Sequence, residues 1–259
     1  MQTHYNQKIL TEAIAKSGVK EGDIVFCHSN IGYFGIPEEG ADTKTICSLV
    51  LDAFISVLGE KGTFVSPTFT YSFGSDNEDK VFDPDNTPSG MGVFAEMIRR
   101  HPHARRSVEP MFSVAALGGQ AEELVNNVSD ECFGKDSFWD RFLQGKGRVC
   151  NLNFDAASTF IHYVEKQLGV PYRSDQIFRG TLKQNGVSEQ KSVTFFCRDI
   201  NDPDTDVHCE TFDAIAKKDT AKVVKVGRGA VVSLSAANTY ALIEREIAKD
   251  PDLLIKRGK

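Results

Sequence analysis

The chain has 259 residues, of which 41% are hydrophobic and 25% charged, and carries a formal net charge of −6. This is a globular composition, long enough for one large α/β domain or two small ones, and its acidic balance argues against a nucleic-acid partner, which usually meets a net basic face. No apolar run approaches the roughly 18 residues of a membrane span, and the opening residues are amphipathic without the apolar block of a secretion signal, so a cytoplasmic protein with no membrane partner is expected.

Residues 5–16 place Ile9, Leu10, Ala13 and Ile14 at helical spacing, and Gly18 closes the helix. A short apolar strand is expected over 23–29, then a loop, then a helix over 42–58 opened by Asp42 and Thr43 and ended by Gly59. A second strand over 62–70 meets Pro67 and leads into a polar stretch, 71–90, of the length usually found in functional loops or lids. Helix 91–100, strand 112–118, helix 120–126, a short helix at 138–143, strand 147–154 and helix 158–168 follow. After Pro171 the pattern changes. Segments 176–182 and 192–198 flank Asn185-Gly186, a strong hairpin signal. A helix near 211–217, strands 222–226 and 230–234, and a last helix over 236–249 complete the chain. The expected fold is α/β: a central, mostly parallel sheet flanked by helices, with an antiparallel C-terminal addition. Residues 1–259 are taken as a single domain, with 174–235 as its antiparallel subregion.

Six cysteines are scattered without a C-x-x-C pair, so neither a zinc site nor a redox motif is indicated. His208, Cys209 and Glu210 have no second ligand pair at a recognised spacing, and no metal is expected. The segment 227–232 has two glycines of a dinucleotide fingerprint but lacks the third, and there is no P-loop. A basic island, with Arg99, Arg100, Arg105 and Arg106, offers bidentate donors for phosphate. An acidic one spans 198–210.

In an open parallel sheet, ligands sit beyond the carboxyl ends of the strands. His28 and Ser29 end one strand, Thr68 and Thr70 another, and Asp155, Ser158 and Thr159 follow a third. His162 lies on the next helix with Glu165 three residues on, on nearly the same face. A carboxylate beside an imidazole suits a general base; a surface histidine with an incidental neighbour is the plainer alternative. Cys27 and His28 are adjacent on a strand and point to opposite faces, which disfavours a nucleophile–base pair, and no G-x-S-x-G elbow supports a serine hydrolase.

Several of these segments, in the same order, resemble the aminoglycoside 3-N-acetyltransferase family, whose fold is distinct from the common acetyltransferase one. They are HSNIGYFG at 28–35, GTFVSPTFT at 62–70, ARRSVEPMFSVAALG at 104–118, CFGKDSFWDRF at 132–142 and FDAASTFIHYVEKQLGVPYR at 154–173. The likeness runs over nearly the whole chain.

The resemblance implies transfer of acetyl from acetyl-coenzyme A to an amine of an aminoglycoside-like or amino-sugar acceptor, by direct attack on the thioester with a histidine base. His162 matches the base, with Glu165 beside it, and Glu210 or Asp206 match an acid that orients it. His28, Ser29, Asn30, Ile31, Thr68, Arg106, Ser107 and Ser113 fall in the regions implied for coenzyme A. Tyr71, Glu109, Phe112 and Asp155 fall where the acceptor is implied. Where the family usually has His-Pro, this chain has Glu109-Pro110. Glu109 is read either as a contact for a cationic acceptor or as a solvated loop carboxylate. With a shortened insert after the second strand, it points to an amino sugar, nucleotide-linked in one version, rather than an antibiotic as natural acceptor. The alternative is a non-catalytic coenzyme A or sugar-binding protein on the same scaffold. A homo-oligomer stays open.

Overall fold

The computed structural model describes residues 2–74 and 78–257. Helix α1, Gln7–Lys16, starts where the Asn6 side chain accepts the Ile9 N–H, and it buries Leu10, Ala13 and Ile14. Strand β1, Ile24–Phe26, and a 3₁₀ turn, Ile31–Phe34, lead to α2, Thr43–Leu58, capped by Asp42. Strands β2, Thr63–Pro67, and β3, Val81–Phe82, precede α3, Gly92–Arg99. Then come β4, Arg105–Arg106, β5, Val114–Gly118, α4, Ala121–Val125, α5, Phe138–Gln144, β6, Arg148–Leu152, and α6, Phe160–Leu168. The last third holds β7, Arg173–Gln184, β8, Val187–Arg198, α7, Glu210–Asp219, β9, Lys222–Val226, β10, Gly229–Ser235, and α8, Ala236–Ile247.

Seven strands form the central sheet in the order β4-β5-β2-β1-β6-β10-β9. Its centre, β2-β1-β6, is parallel, and the strands beyond it on both sides pair antiparallel. Alternation along the central strands feeds two cores. Ile24, Phe26, Val65 and Val149 face a core shared with α4, α5, α6 and α8, while Val25, Cys27, Phe64 and Cys150 face one shared with α1, α2 and α3. Strands buried on both faces read as largely apolar runs, here interrupted by buried Thr63, Ser66 and Asn151. Five cysteines, Cys27, Cys47, Cys132, Cys150 and Cys197, are buried thiols.

The antiparallel addition divides between two sheets. β9 and β10 extend the central one, while β7 and β8 build a separate three-stranded sheet with β3. The β7–β8 strands run twelve residues each, well beyond the expected segments. Their turn has Asn185 at φ 52° and Gly186 at φ 77°, the two positive values a tight hairpin needs. Two short strands appear where loop was expected. β4 is built from the basic island itself, and β3 lies in the polar stretch 71–90, of which residues 75–77 fall outside the described residues. Both strands are two residues long, too short to show a periodicity.

Among the described residues no helix is long and apolar enough to cross a membrane. Nor is any group of three or more His, Cys, Asp or Glu residues among them arranged to hold a metal ion.

Candidate active site

The chain leaves β1 toward β2 on one side and later returns to β6 on the other, so the parallel strands change direction of connection at β1. A crevice opens beyond the carboxyl ends of strands at such a point. His28 follows β1 there, and the loop 153–159 follows β6. Asn151, fully buried on β6, holds the two together: its amide donates to the carbonyls of Asp155 and Ala157 at 2.7 and 2.9 Å and its oxygen accepts the His28 N–H at 3.2 Å. Asp213 on α7 accepts the Ala157 N–H at 2.8 Å from the far side of the same loop. No local pattern singled out Asn151 or Asp213. For Asn151 the signal is a polar residue inside a strand; Asp213 lies on a helix and carries no such mark.

His162 is the third residue of α6, with its side chain 15% exposed. Its Nδ1 lies 2.6 Å from Glu165 Oε2, and Glu165 is completely buried. The Tyr172 hydroxyl donates to the other oxygen, Oε1, at 2.9 Å. Arg173, at the start of β7, brings Nε to 2.8 Å from Oε2 as an ion pair whose angle is not that of a hydrogen bond. Burial, and then the Arg173 cation, push the His162 pKa below its usual value against the pull of Glu165. Burial would raise the Glu165 carboxyl, but His162, Arg173 and Tyr172 together hold it below the usual range. The resting pair is therefore a neutral imidazole on a carboxylate.

His28 is the neighbouring ring. Its Nε2 lies 3.1 Å from Thr159 Oγ1 and 3.4 Å from the Thr159 N–H. Burial and the nearby His162 lower its pKa to about 4, so it is neutral. Aromatic contacts link the two histidines through one wall. His28 meets Phe69 and Phe154, Phe69 meets Phe112, Phe112 meets Tyr71 and Phe133, and Phe133 meets His162 with ring centroids 5.8 Å apart. Tyr71 is the open end of that wall, at 45% exposure, while Phe112 is buried in it. Ser29 is half-buried, Asn30 exposed and Ile31 buried along the turn that leaves β1. Asp155 is exposed and ion-paired with Lys217, beside a cavity of about 400 Å³ lined also by Asn153, Phe154, Val223 and Lys225.

Other expected residues lie elsewhere, for reasons of hydrogen bonding. Arg106 is not open to phosphate. Its Nε donates to the hydroxyls of Thr68 and Ser113, Nη1 to the carbonyls of Pro84 and Thr87, and Nη2 to the Thr68 carbonyl. The guanidinium also covers the Phe82 ring at 5.0 Å, and burial lowers its pKa to about 10. Thr68, Ser107 and Ser113 are buried in the same network or beside it; Ser113 donates to the Thr68 carbonyl and Ser107 accepts the Val114 N–H.

Glu109 is neither a solvated carboxylate nor an open acceptor contact. It is buried, and its oxygens accept the N–H groups of Met111 and Phe112 and the Cys132 thiol, which fixes the loop that presents Phe112. Asp206 and Glu210 do not orient His162. Asp206 bridges Arg198 and Lys256, and Glu210 is exposed with His208 3.9 Å away. The acid on the imidazole is Glu165, close in sequence rather than downstream.

The sequence profile of the family described as aminoglycoside 3-N-acetyltransferase matches residues 26–247. An Acinetobacter baumannii protein, aminoglycoside N(3)-acetyltransferase III, is 32% identical over 184 residues, 64% of this chain and 62% of its own length. The aligned part thus spans under two thirds of that relative. Among solved structures, AAC-IIIb in a binary complex with CoASH superposes with a TM-score of 0.77 at 19% identity, covering 95% of this chain and 97% of that one. AAC-VIa bound to sisomicin superposes with a TM-score of 0.79 at 22% identity, covering 95% and 99%. At such identities the superpositions establish the shared fold.

Proposed function

The chain belongs to the aminoglycoside 3-N-acetyltransferase family, and on that premise we propose that it transfers acetyl from acetyl-coenzyme A to an amine of an aminoglycoside-like or amino-sugar acceptor in the cytoplasm. The observation that carries this reading is the part-exposed His162 imidazole held at 2.6 Å by a fully buried carboxylate. With Nδ1 engaged by Glu165, Nε2 is the nitrogen left to take a proton from an incoming ammonium or attacking amine. Glu165 then steadies the imidazolium that forms, and the proton is returned as the thiol leaves. Acetyl-coenzyme A supplies the activated acyl group, and no covalent enzyme intermediate is required. Removing one proton from the amine at the right place is this chain's own contribution.

Support for where the ligands sit comes from the crevice. His28, Ser29, Asn30 and Ile31 border it after β1 and are assigned to the pantetheine arm. The cavity beyond β6 bears one carboxylate, Asp155, and two ammonium groups, Lys217 and Lys225. That balance suits a phosphate-bearing end, of coenzyme A or of a nucleotide-linked acceptor, better than a polycation. Tyr71 and Phe112 are assigned to the face of the acceptor, with Glu109 acting on it only through the loop it ties.

His162→Ala tests the reading. With acetyl-coenzyme A and either sisomicin or a panel of amino sugars, thiol release should fall about 10²–10⁴-fold while coenzyme A affinity is kept. Unchanged turnover would remove His162 from the mechanism. Wild-type protein that binds coenzyme A but acetylates nothing in the panel would favour the non-catalytic alternative.

A further inference from the structure

The side of Glu165 away from His162 is built with more care than a simple acid–base pair requires. Arg173 reaches it from β7 with a side chain 3% exposed, and its Nε is 2.8 Å from the same oxygen, Oε2, that contacts the imidazole. Burying a guanidinium is costly unless its donors are met. Among the described residues Nε and Nη2 have no hydrogen-bond partner, and Nη1 reaches the Phe196 carbonyl at 3.5 Å. The hydrogen bonds that would justify a purely structural arginine are therefore mostly absent, and what remains is its charge beside the carboxylate.

We propose that Arg173 is a positioning residue for the base: its buried cation balances Glu165 so that His162 stays unprotonated at rest, while Tyr172 fixes the carboxylate's orientation. The inference rests on the assignment of His162 as the base. The charge count shows why balance matters. Burial already disfavours an imidazolium at His162, but Glu165 at 2.6 Å pulls a proton toward the ring, and an imidazolium cannot accept the amine's proton. With Arg173 present, carboxylate and guanidinium already cancel, and protonating His162 would leave a net positive charge in a buried cluster. Once the amine's proton has arrived, Glu165 is still in contact to support it.

The groups that face the imidazole from the packed elements agree with this division. On α6 it is Glu165, on β7 Arg173, and after β1 the neutral His28. Around Arg173 stand Tyr172, whose hydroxyl burial and Glu165 push far up, and the Cys197 thiol on β8, raised by burial to about 11. Both are uncharged at neutral pH. Asp252 adds to the upward push on Tyr172. Arg173 is thus the cation set against Glu165.

The test is a histidine-detected NMR titration of the full chain without ligands, with the His162 signal assigned by its loss in His162→Gln. Arg173→Gln should raise the His162 midpoint by about one pH unit, and Arg173→Lys should restore it. An unmoved midpoint in a folded Arg173→Gln protein would overturn the proposal. If Arg173→Gln fails to fold, the double variant Glu165→Gln with Arg173→Gln removes both buried charges. Its midpoint should stay within about half a unit of wild type, because two opposing pulls are lost together. A fall of a full unit there would show that Glu165 acted alone and would equally overturn it. The acid limb of kcat/KM with sisomicin and acetyl-coenzyme A should move upward in Arg173→Gln in step with the midpoint. If the wild type transfers no acetyl group yet the midpoints behave as stated, the electrostatic role stands and the enzymatic reading fails.

Discussion

Two buried polar clusters sit near strand ends of the central sheet, and they differ in one respect. Around Arg106, every guanidinium nitrogen meets a carbonyl or hydroxyl of Thr68, Pro84, Thr87 or Ser113. Around Glu165, Arg173 keeps two nitrogens without hydrogen bonds, and the imidazole of His162 is partly open to solvent. A saturated network has nothing left to offer a ligand and acts as a clasp, here between β2, β4 and the loop before α3. A cluster left unsaturated holds charge in tension and keeps one group available. Residue types alone do not separate the two, since both combine arginine with hydroxyl or carboxylate partners.

The largest expected effect lies in the unsaturated cluster. Glu165→Gln leaves Arg173 as an uncompensated buried cation, and should cost about 3–5 kcal/mol of unfolding free energy, seen as a lower midpoint in urea. Thiol-release activity should fall with it. A variant as stable as wild type would erase the contrast between the clusters.

Next comes the clasp. Arg106→Met strands several buried carbonyls and should cost about 3 kcal/mol, with coenzyme A affinity unchanged once the protein is folded. Loss of coenzyme A binding at undiminished stability would return Arg106 to the phosphate role first expected of it.

A third effect concerns pH. The folded pKa of His28 is about 4, against 6.5 for the exposed ring. The unfolded chain therefore takes up a proton that the folded one refuses, and the stability present above pH 6.5 is lost as pH falls toward 4. This amounts to about 3 kcal/mol for the one ring. His28→Asn should flatten the stability profile over that window, and an unchanged slope would show the ring titrating normally.

The smallest effect sharpens the comparison from outside. Lys217→Ala breaks an exposed ion pair with Asp155, and should change stability by less than about 1 kcal/mol. If its phosphate assignment holds, weaker coenzyme A binding at low salt should be the only clear consequence.

Much of this was written locally in the chain. Helical spacing, caps and apolar runs fix the order of elements, because they depend on neighbours within a few residues. His162 and Glu165 were legible as a pair for the same reason: three residues apart on a helix, they must share a face. The hairpin at Asn185-Gly186 needed only two residues with positive φ.

What the chain could not announce is which distant segments meet. Strand order in the central sheet, the split of the antiparallel strands between two sheets, and the enclosure of Arg106 all arise from contacts across tens of residues. Asp206 and Glu210 fitted a role by residue type, yet tertiary packing gave them other partners. Arg173 is only eight residues from Glu165, but it lies on the next element, past a helix end at Gly169 with φ 64°. Where the strand enters after that turn, and so whether the cation lands behind the carboxylate, is decided by the packing of β7 and α6. Sequence periodicity reports a residue's face, while burial and hydrogen-bond saturation, which separate the Arg106 cluster from the Glu165 one, exist only once the faces have met.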